Sequence, residues 1–225
     1  MIRREVLRYL GYKGVTESEV DPRVLEAIDE ALETLRKNCR PRFTSKIFPL
    51  HFNDASISFG NALDVSSKSL LRNLRDCQQV VLMAATLGTE ADRLISRWSR
   101  ADISRGVIME AAATALIEEY CDQCQMELEQ ELNQQEKSLR PRFSPGYGDF
   151  DIKHQVDLLR LLDTQRQLGL TLTDGGMMAP SKSVTAVLGI YPFQGSEAQQ
   201  EGKQRCNIHG CEACKMKNCL YRRNV

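Results

Sequence analysis

Residues 106–136 contain no Lys or Arg, and this stretch belongs to the longest regular pattern in the chain. The spacing predicts one helix from about Ser104 to Lys137. Its first half is small and apolar (Ile108, Ala111, Ala112, Ala115, Leu116), which lets a helix pack close to its neighbours. Its second half is amphipathic, with Cys121, Cys124, Leu128 and Leu132 on one stripe. The acidic remainder reads as a solvated face, or alternatively as a docking face for a basic partner. An element of this kind needs a core to lie on, and 225 residues at 42% hydrophobic can supply one.

Other segments change the period. Residues 3–10 read as a short helix ended by Gly11. Asp21 caps a helix that begins at Pro22 and carries Leu25, Ile28, Leu32 and Leu35 inward. Residues 46–60 alternate as a strand pair around Asn53-Asp54. Val80–Thr86 reads as a buried strand, followed by Leu87-Gly88 and a helix capped by Thr89, with Ala91, Leu94, Ile95 and Trp98 inward. Two prolines and two glycines make 140–150 an irregular loop. Asp151 then caps a helix holding Val156, Leu159 and Leu162, with His154 on its surface and Gly169 as its stop. Leu170 and Leu172 form a short strand, Asp174-Gly175-Gly176 a turn, and Ser183–Ile190 a strand. The tetrapeptide Arg-Pro-Arg-Phe occurs at 40–43 and 140–143, but its flanks do not match, so it is read as coincidence rather than as a repeat.

Charge and composition narrow the function. Thirty basic residues balance thirty acidic ones, which argues against a general nucleic-acid binder. The start lacks a signal-peptide stretch, and no run approaches the roughly 18 apolar residues of a membrane span. The expectation is a cytoplasmic protein with neither a nucleic-acid nor a membrane partner. Eight cysteines without a secretory signal argue for metal rather than disulfides.

Two segments carry chemistry. In the first, Arg142-Phe143-Ser144-Pro145-Gly146-Tyr147, Pro and Gly lay the backbone open. Arg142 offers a fork for a carboxylate and Tyr147 an aromatic face for a cation. A small molecule with a carboxylate at one end and a positive centre further along suits this layout, although an ordinary rigid loop would read the same way. In the second, Cys206, Cys211, Cys214 and Cys219 place four thiolates in 14 residues around a Cys-x-x-Cys core, enough for one zinc ion or iron–sulfur cluster. His209 adds a nitrogen. The tail is basic (Lys203, Arg205, Lys215, Lys217, Arg222, Arg223 against Glu201 and Glu212), which favours thiolates. Cys121 and Cys124 read as small core hydrophobes.

The 142–147 segment, a helix after it, and then Leu170-Thr171-Leu172-Thr173-Asp174 and Met178-Ala179-Pro180-Ser181-Lys182-Ser183-Val184 together resemble the activation domain of vitamin B12-dependent methionine synthase. That family carries Arg-x-x-Pro-Gly-Tyr, a helix, and a Leu-Thr-Glu…Met-x-Pro-x-x-Ser-Val segment. The resemblance extends over most of 1–195.

It implies an α+β fold with an antiparallel sheet packed by helices, as a 1–195 domain followed by a 196–225 linker and Cys-rich tail. It also implies an S-adenosylmethionine groove: Arg142 on the carboxylate, Ser144 and Gly146 at backbone-contact positions, Tyr147 near the ligand and Glu118 as the acidic residue of the long helix. Tyr191 is the nearest counterpart of a later family tyrosine. The implied function is reductive reactivation, in which cob(II)alamin is reduced by one electron and remethylated from S-adenosylmethionine. Family members end a much longer polypeptide whose folate, homocysteine and cobalamin modules do not fit in 225 residues. The expected partner is therefore a methionine synthase or corrinoid protein lacking its own activation domain, with a flavodoxin or ferredoxin as electron donor. The alternative is a non-catalytic sensor or docking module that keeps the groove.

Overall fold

The run Gln79–Thr86 is apolar except at its ends, and every residue from Val80 to Thr86 is buried. A strand apolar on both faces needs both covered. In the computed structural model, which describes residues 2–12, 14–53 and 56–192, this run is an interior strand of a six-stranded sheet. The helices are α1 Ile2–Tyr9, α2 Pro22–Asn38, α3 Lys68–Asn73, α4 Thr89–Ala101, α5 Ile103–Asn133, α6 Gln155–Leu162 and α7 Thr164–Leu168. The strands are β1 Arg42–Phe52, β2 Ile57–Phe59, β3 Leu63–Val65, β4 Gln79–Thr86, β5 Lys137–Leu139, β6 Thr171–Leu172, β7 Met178–Ala179 and β8 Ser183–Pro192. The large sheet runs β3-β2-β1-β4-β8-β5, and β6 and β7 form a separate hairpin. The architecture is α+β, an antiparallel sheet packed by helices. The pairs β1–β2, β2–β3 and β5–β8 are antiparallel. The bonds at the two ends of the β4–β8 pair, Gln78 to Ile190 and Leu87 to Lys182, show the same sense.

The chain divides into two compact units. The first comprises Met1–Phe43, Ala85–Gln123 and Gln165–Val184. It is mainly helical, and its core includes Val6, Leu7, Ile28, Leu32, Leu35, Leu94, Met109, Ala112 and Leu116. Gly106 shows how closely α4 and α5 meet: a Cβ there would lie 2.3 Å from Ser99 Oγ. Glu110 and Glu119 on α5 pair with Lys182 and Arg36, so part of the acidic face is used inside this unit.

The second unit comprises Thr44–Ala84, Cys124–Thr164 and the chain from Thr185. It holds the body of the large sheet and α3 and α6. Its core is built from Ile57, Phe59, Leu70, Leu74, Val80–Ala84, Leu158, Leu162 and Val187. Cys77 and Cys124 of this unit, and Cys39 and Cys121 of the first, are buried thiols. Burial pushes the Cys39 thiol up to about 11.

Four local expectations are corrected. The long helix stops at Asn133; Glu136 adopts φ +55 and turns the chain into β5, whose Leu139 pairs with Ile190. Gly88, not Thr89, occupies the cap position of α4, at φ +83, and its N–H donates to Thr86 Oγ1 at 3.0 Å. The helix expected from Asp151 to Gly169 is three pieces: a 3-10 turn at Ile152–His154, then α6, then α7 after Asp163 at φ +51. The tighter turn shifts the phase, so Gln155, Leu158, Leu159 and Leu162 face in while Val156 is 57% exposed. His154, expected on the surface, is buried against Phe150 with ring centroids 5.6 Å apart.

Candidate functional site

The 140–150 loop is irregular, as its composition requires, but it is tightly held. Arg140 N–H donates to Gly189 O at 2.8 Å, and Phe143 and Val187 exchange both backbone bonds at 2.9 Å, so the loop's first arm lies along β8. The chain then reverses. Tyr147 N–H donates to Ser144 O at 3.2 Å, Phe150 N–H to Tyr147 O at 3.0 Å, and Gly146 N–H to Phe150 O at 2.7 Å. Gly146 sits at φ +91 and Gly148 at φ +57, a region most side chains avoid. Phe150 is 1% exposed and stacks near Phe143 at 6.3 Å, closing the loop from beneath. Pro145 is buried, and Tyr147 is 67% exposed at the tip.

Asp149 fastens the far end. Its carboxylate accepts from Ser67 Oγ at 2.7 Å, Lys68 N–H at 2.7 Å and Ser69 N–H at 2.9 Å, at the start of α3. Ser67, the α3 cap, simultaneously accepts from Leu70 N–H at 3.0 Å. These bonds, the Ser67 hydroxyl first, hold the Asp149 carboxyl well below the usual carboxylate range. Gly148 fits because it lacks a Cβ, which would meet Ser69 Oγ at 2.8 Å. The sequence reading missed this anchor. Its partners are 80–82 residues apart in the chain, and only the Ser67 capping position hints at it.

Arg142 is half-buried, and its Nη1 donates to Gln125 Oε1 on α5 at 3.0 Å, which draws the guanidinium towards α5. Gln125 was also missed; nothing in sequence pairs it with a residue beyond the end of its helix. Ser144 is half-buried, and its carbonyl already accepts one bond. Gly146 is exposed, but its N–H is committed within the loop. Glu118 is half-buried on α5, seven residues before Gln125, and falls in the first unit, whereas 142–147 falls in the second. The Tyr191 ring carries the Arg140 guanidinium at 4.5 Å. Cys206, Cys211, Cys214, Cys219 and His209 lie outside the described residues. Among the described residues no group of three or more His, Cys, Asp or Glu is placed to hold a metal, and no helix is long and apolar enough to cross a membrane.

A loop held at both ends that presents a guanidinium and an exposed tyrosine has the groups to grip a ligand carrying a carboxylate and a cation. The family model described as "Vitamin B12 dependent methionine synthase, activation domain" matches residues 73–193, more than half of the chain and all of the loop. Among solved structures, the crystal structure of the MetH reactivation domain bound to AdoHcy matches with a TM-score of 0.64 at 15% identity, covering 91% of this chain and 82% of that one. At that identity the match establishes the fold. No curated protein matches.

Proposed function

Because the chain belongs to the vitamin B12-dependent methionine synthase activation-domain family, we propose that it is an accessory protein for reductive reactivation, acting in trans on a methionine synthase or related corrinoid protein that lacks its own activation domain. The observation carrying this reading is the 142–147 loop, with Arg142 oriented by Gln125 and the loop tethered by Asp149. The residues fit S-adenosylmethionine: a guanidinium fork suits its carboxylate, and an open aromatic face suits its sulfonium. That ligand would supply the methyl group for the partner's cobalamin once a flavodoxin or ferredoxin has delivered one electron. Arg142 binds the carboxylate, Tyr147 faces the positive centre, and the Ser144 and Gly146 backbone complete the contacts. Cys206, Cys211, Cys214 and Cys219 hold zinc or an iron–sulfur cluster on a 196–225 tail separable from a 1–195 body, since four thiolates so closely spaced are a sufficient donor set.

The deciding experiment mixes a cob(II)alamin-loaded corrinoid protein, S-adenosylmethionine and a reductant, with and without this chain. Methylcobalamin formed only in its presence is the expected result; equal formation without it would remove the assignment. Removing residues 200–225 should leave S-adenosylmethionine affinity intact and abolish bound metal. A broad brown absorption of anaerobically purified protein identifies iron–sulfur, and a colourless protein with stoichiometric zinc identifies a structural site.

A further inference from the structure

One concavity of about 470 Å³ shares no residue with the 142–147 loop. It is lined by Phe52 at the end of β1, by Lys68, Leu71 and Arg72 on α3, and by Arg75 and Asp76 just beyond it. Its volume lies in the range of small-molecule sites. Lys68, Arg72 and Arg75 are spaced four and three apart, which places them on one face of α3 and its continuation. All three are exposed, and among the described residues none of their side chains has a hydrogen-bond or ion-pair partner. Like charges at this spacing repel, and among the described residues lining the pocket Asp76 is the one carboxylate set against three cations. This contrasts with the concavity beside α1 and α2, of about 500 Å³, where Arg3 and Arg36 are each paired with carboxylates.

The apolar part of the lining is equally open. Phe52 is 46% exposed and Leu71 half-buried beside the cations. An exposed ring next to unpaired guanidinium groups is the arrangement that takes a flat ring on one side and oxyanions on the other. Asp76, held at φ +66, adds one acceptor at the rim, suited to a hydroxyl or amino group of a ligand.

We propose that this pocket is a second ligand site, for a small molecule that joins a flat aromatic group to phosphate or carboxylate anions, as a nucleotide does. The ring lies against Phe52 and Leu71, and the anions meet Arg72, Arg75 and Lys68. Inorganic ion alone or a neutral nucleoside alone makes half of these contacts and binds more weakly than the two joined.

ADP is the probe, with pyrophosphate and adenosine as its halves, read by calorimetry on the full chain. ADP should bind at least tenfold more tightly than either half, and more weakly as ionic strength rises. Arg72→Ala combined with Arg75→Ala should weaken ADP at least tenfold, and Phe52→Ala several-fold. S-adenosylhomocysteine titrated into the same variants should behave as with the wild-type protein, so failure of this site and failure of the loop assignment are read separately. Circular dichroism checks that these surface variants are folded. The proposal is overturned if ADP does not bind at millimolar concentration, if the arginine variants bind it unchanged, or if S-adenosylhomocysteine displaces it.

Discussion

Arg-Pro-Arg-Phe is written twice in this chain, and its two copies end in different structures. In both, the first arginine serves backbone: Arg40 donates to Lys37 O and Cys39 O at the end of α2, and Arg140 to Arg75 O while its guanidinium covers Tyr191. The second arginines diverge. Arg42 donates to Leu168 O, closing the C-terminal end of α7, where a cation also suits the helix dipole. Arg142 donates instead to a side-chain amide, Gln125 Oε1 on α5. The residues that follow make the difference. Thr44-Ser45-Lys46 continue β1 for a full strand, whereas Ser144-Pro145-Gly146 reverse the chain and leave Tyr147 at a tip. Four identical side chains therefore say little; the turn chemistry behind them decides whether an arginine closes a helix end or stands at the foot of a reversing loop.

The sharpest way to break this contrast is to give the second copy the flank of the first. Ser144→Thr, Pro145→Ser and Gly146→Lys together remove the turn, and S-adenosylhomocysteine affinity should fall more than a hundredfold while far-UV circular dichroism stays near wild type. Next in size is Arg142→Ala. It removes a charge-assisted contact of about 1.5–3 kcal/mol, hence about ten- to over a hundredfold in affinity, with little change in melting temperature. Arg42→Ala should show the reverse: unchanged affinity, with about 1 kcal/mol lost from the α7 end and a melting temperature lower by about 2–4 °C. Equal binding losses from both arginine variants would erase the distinction.

A subtler test uses acid. Asp149 has a lower value folded than unfolded, so its contribution is full above about pH 4, its unfolded range, and is lost as pH falls through the folded value. Asp149→Asn should lower the melting temperature at neutral pH, and the difference from wild type should narrow below pH 4. The smallest expected effect concerns thiols. Cys39, Cys77, Cys121 and Cys124 are buried, and Cys39 is pushed up to about 11, so thiol reagents at pH 8 should modify them only after unfolding.

The irregular 142–147 loop was legible because Pro and Gly dictate backbone geometry locally. The buried β4 strand was legible from its unbroken apolar run. What escaped was set by contacts far away in sequence or by residues behaving against type. Glu136, Asp163 and Asp76 take left-handed conformations usually left to Gly or Asn, so the end of α5, the break before α7 and the bend beside the cationic pocket carry no sequence flag. Val156 and His154 exchanged their expected environments because one 3-10 turn rotated the helix that follows. Asp149 looked like one more polar loop residue until α3 was placed against it.

The position of β8 bears on how the chain is made. It lies between β4 and β5, and residues 183–192 are the last to be synthesised among those that build the sheet. Until they emerge from the ribosome, β4 has one open edge along a run that is apolar from Val80 to Ala85, and Phe143 lacks its Val187 partner. A chain interrupted before Ser183 would therefore expose a strand prone to pairing with its neighbours on a polysome, and would carry the Arg142 loop without the rail it rides on. The support of the 140–150 loop and the cover of β4's open edge arrive at the same moment of translation.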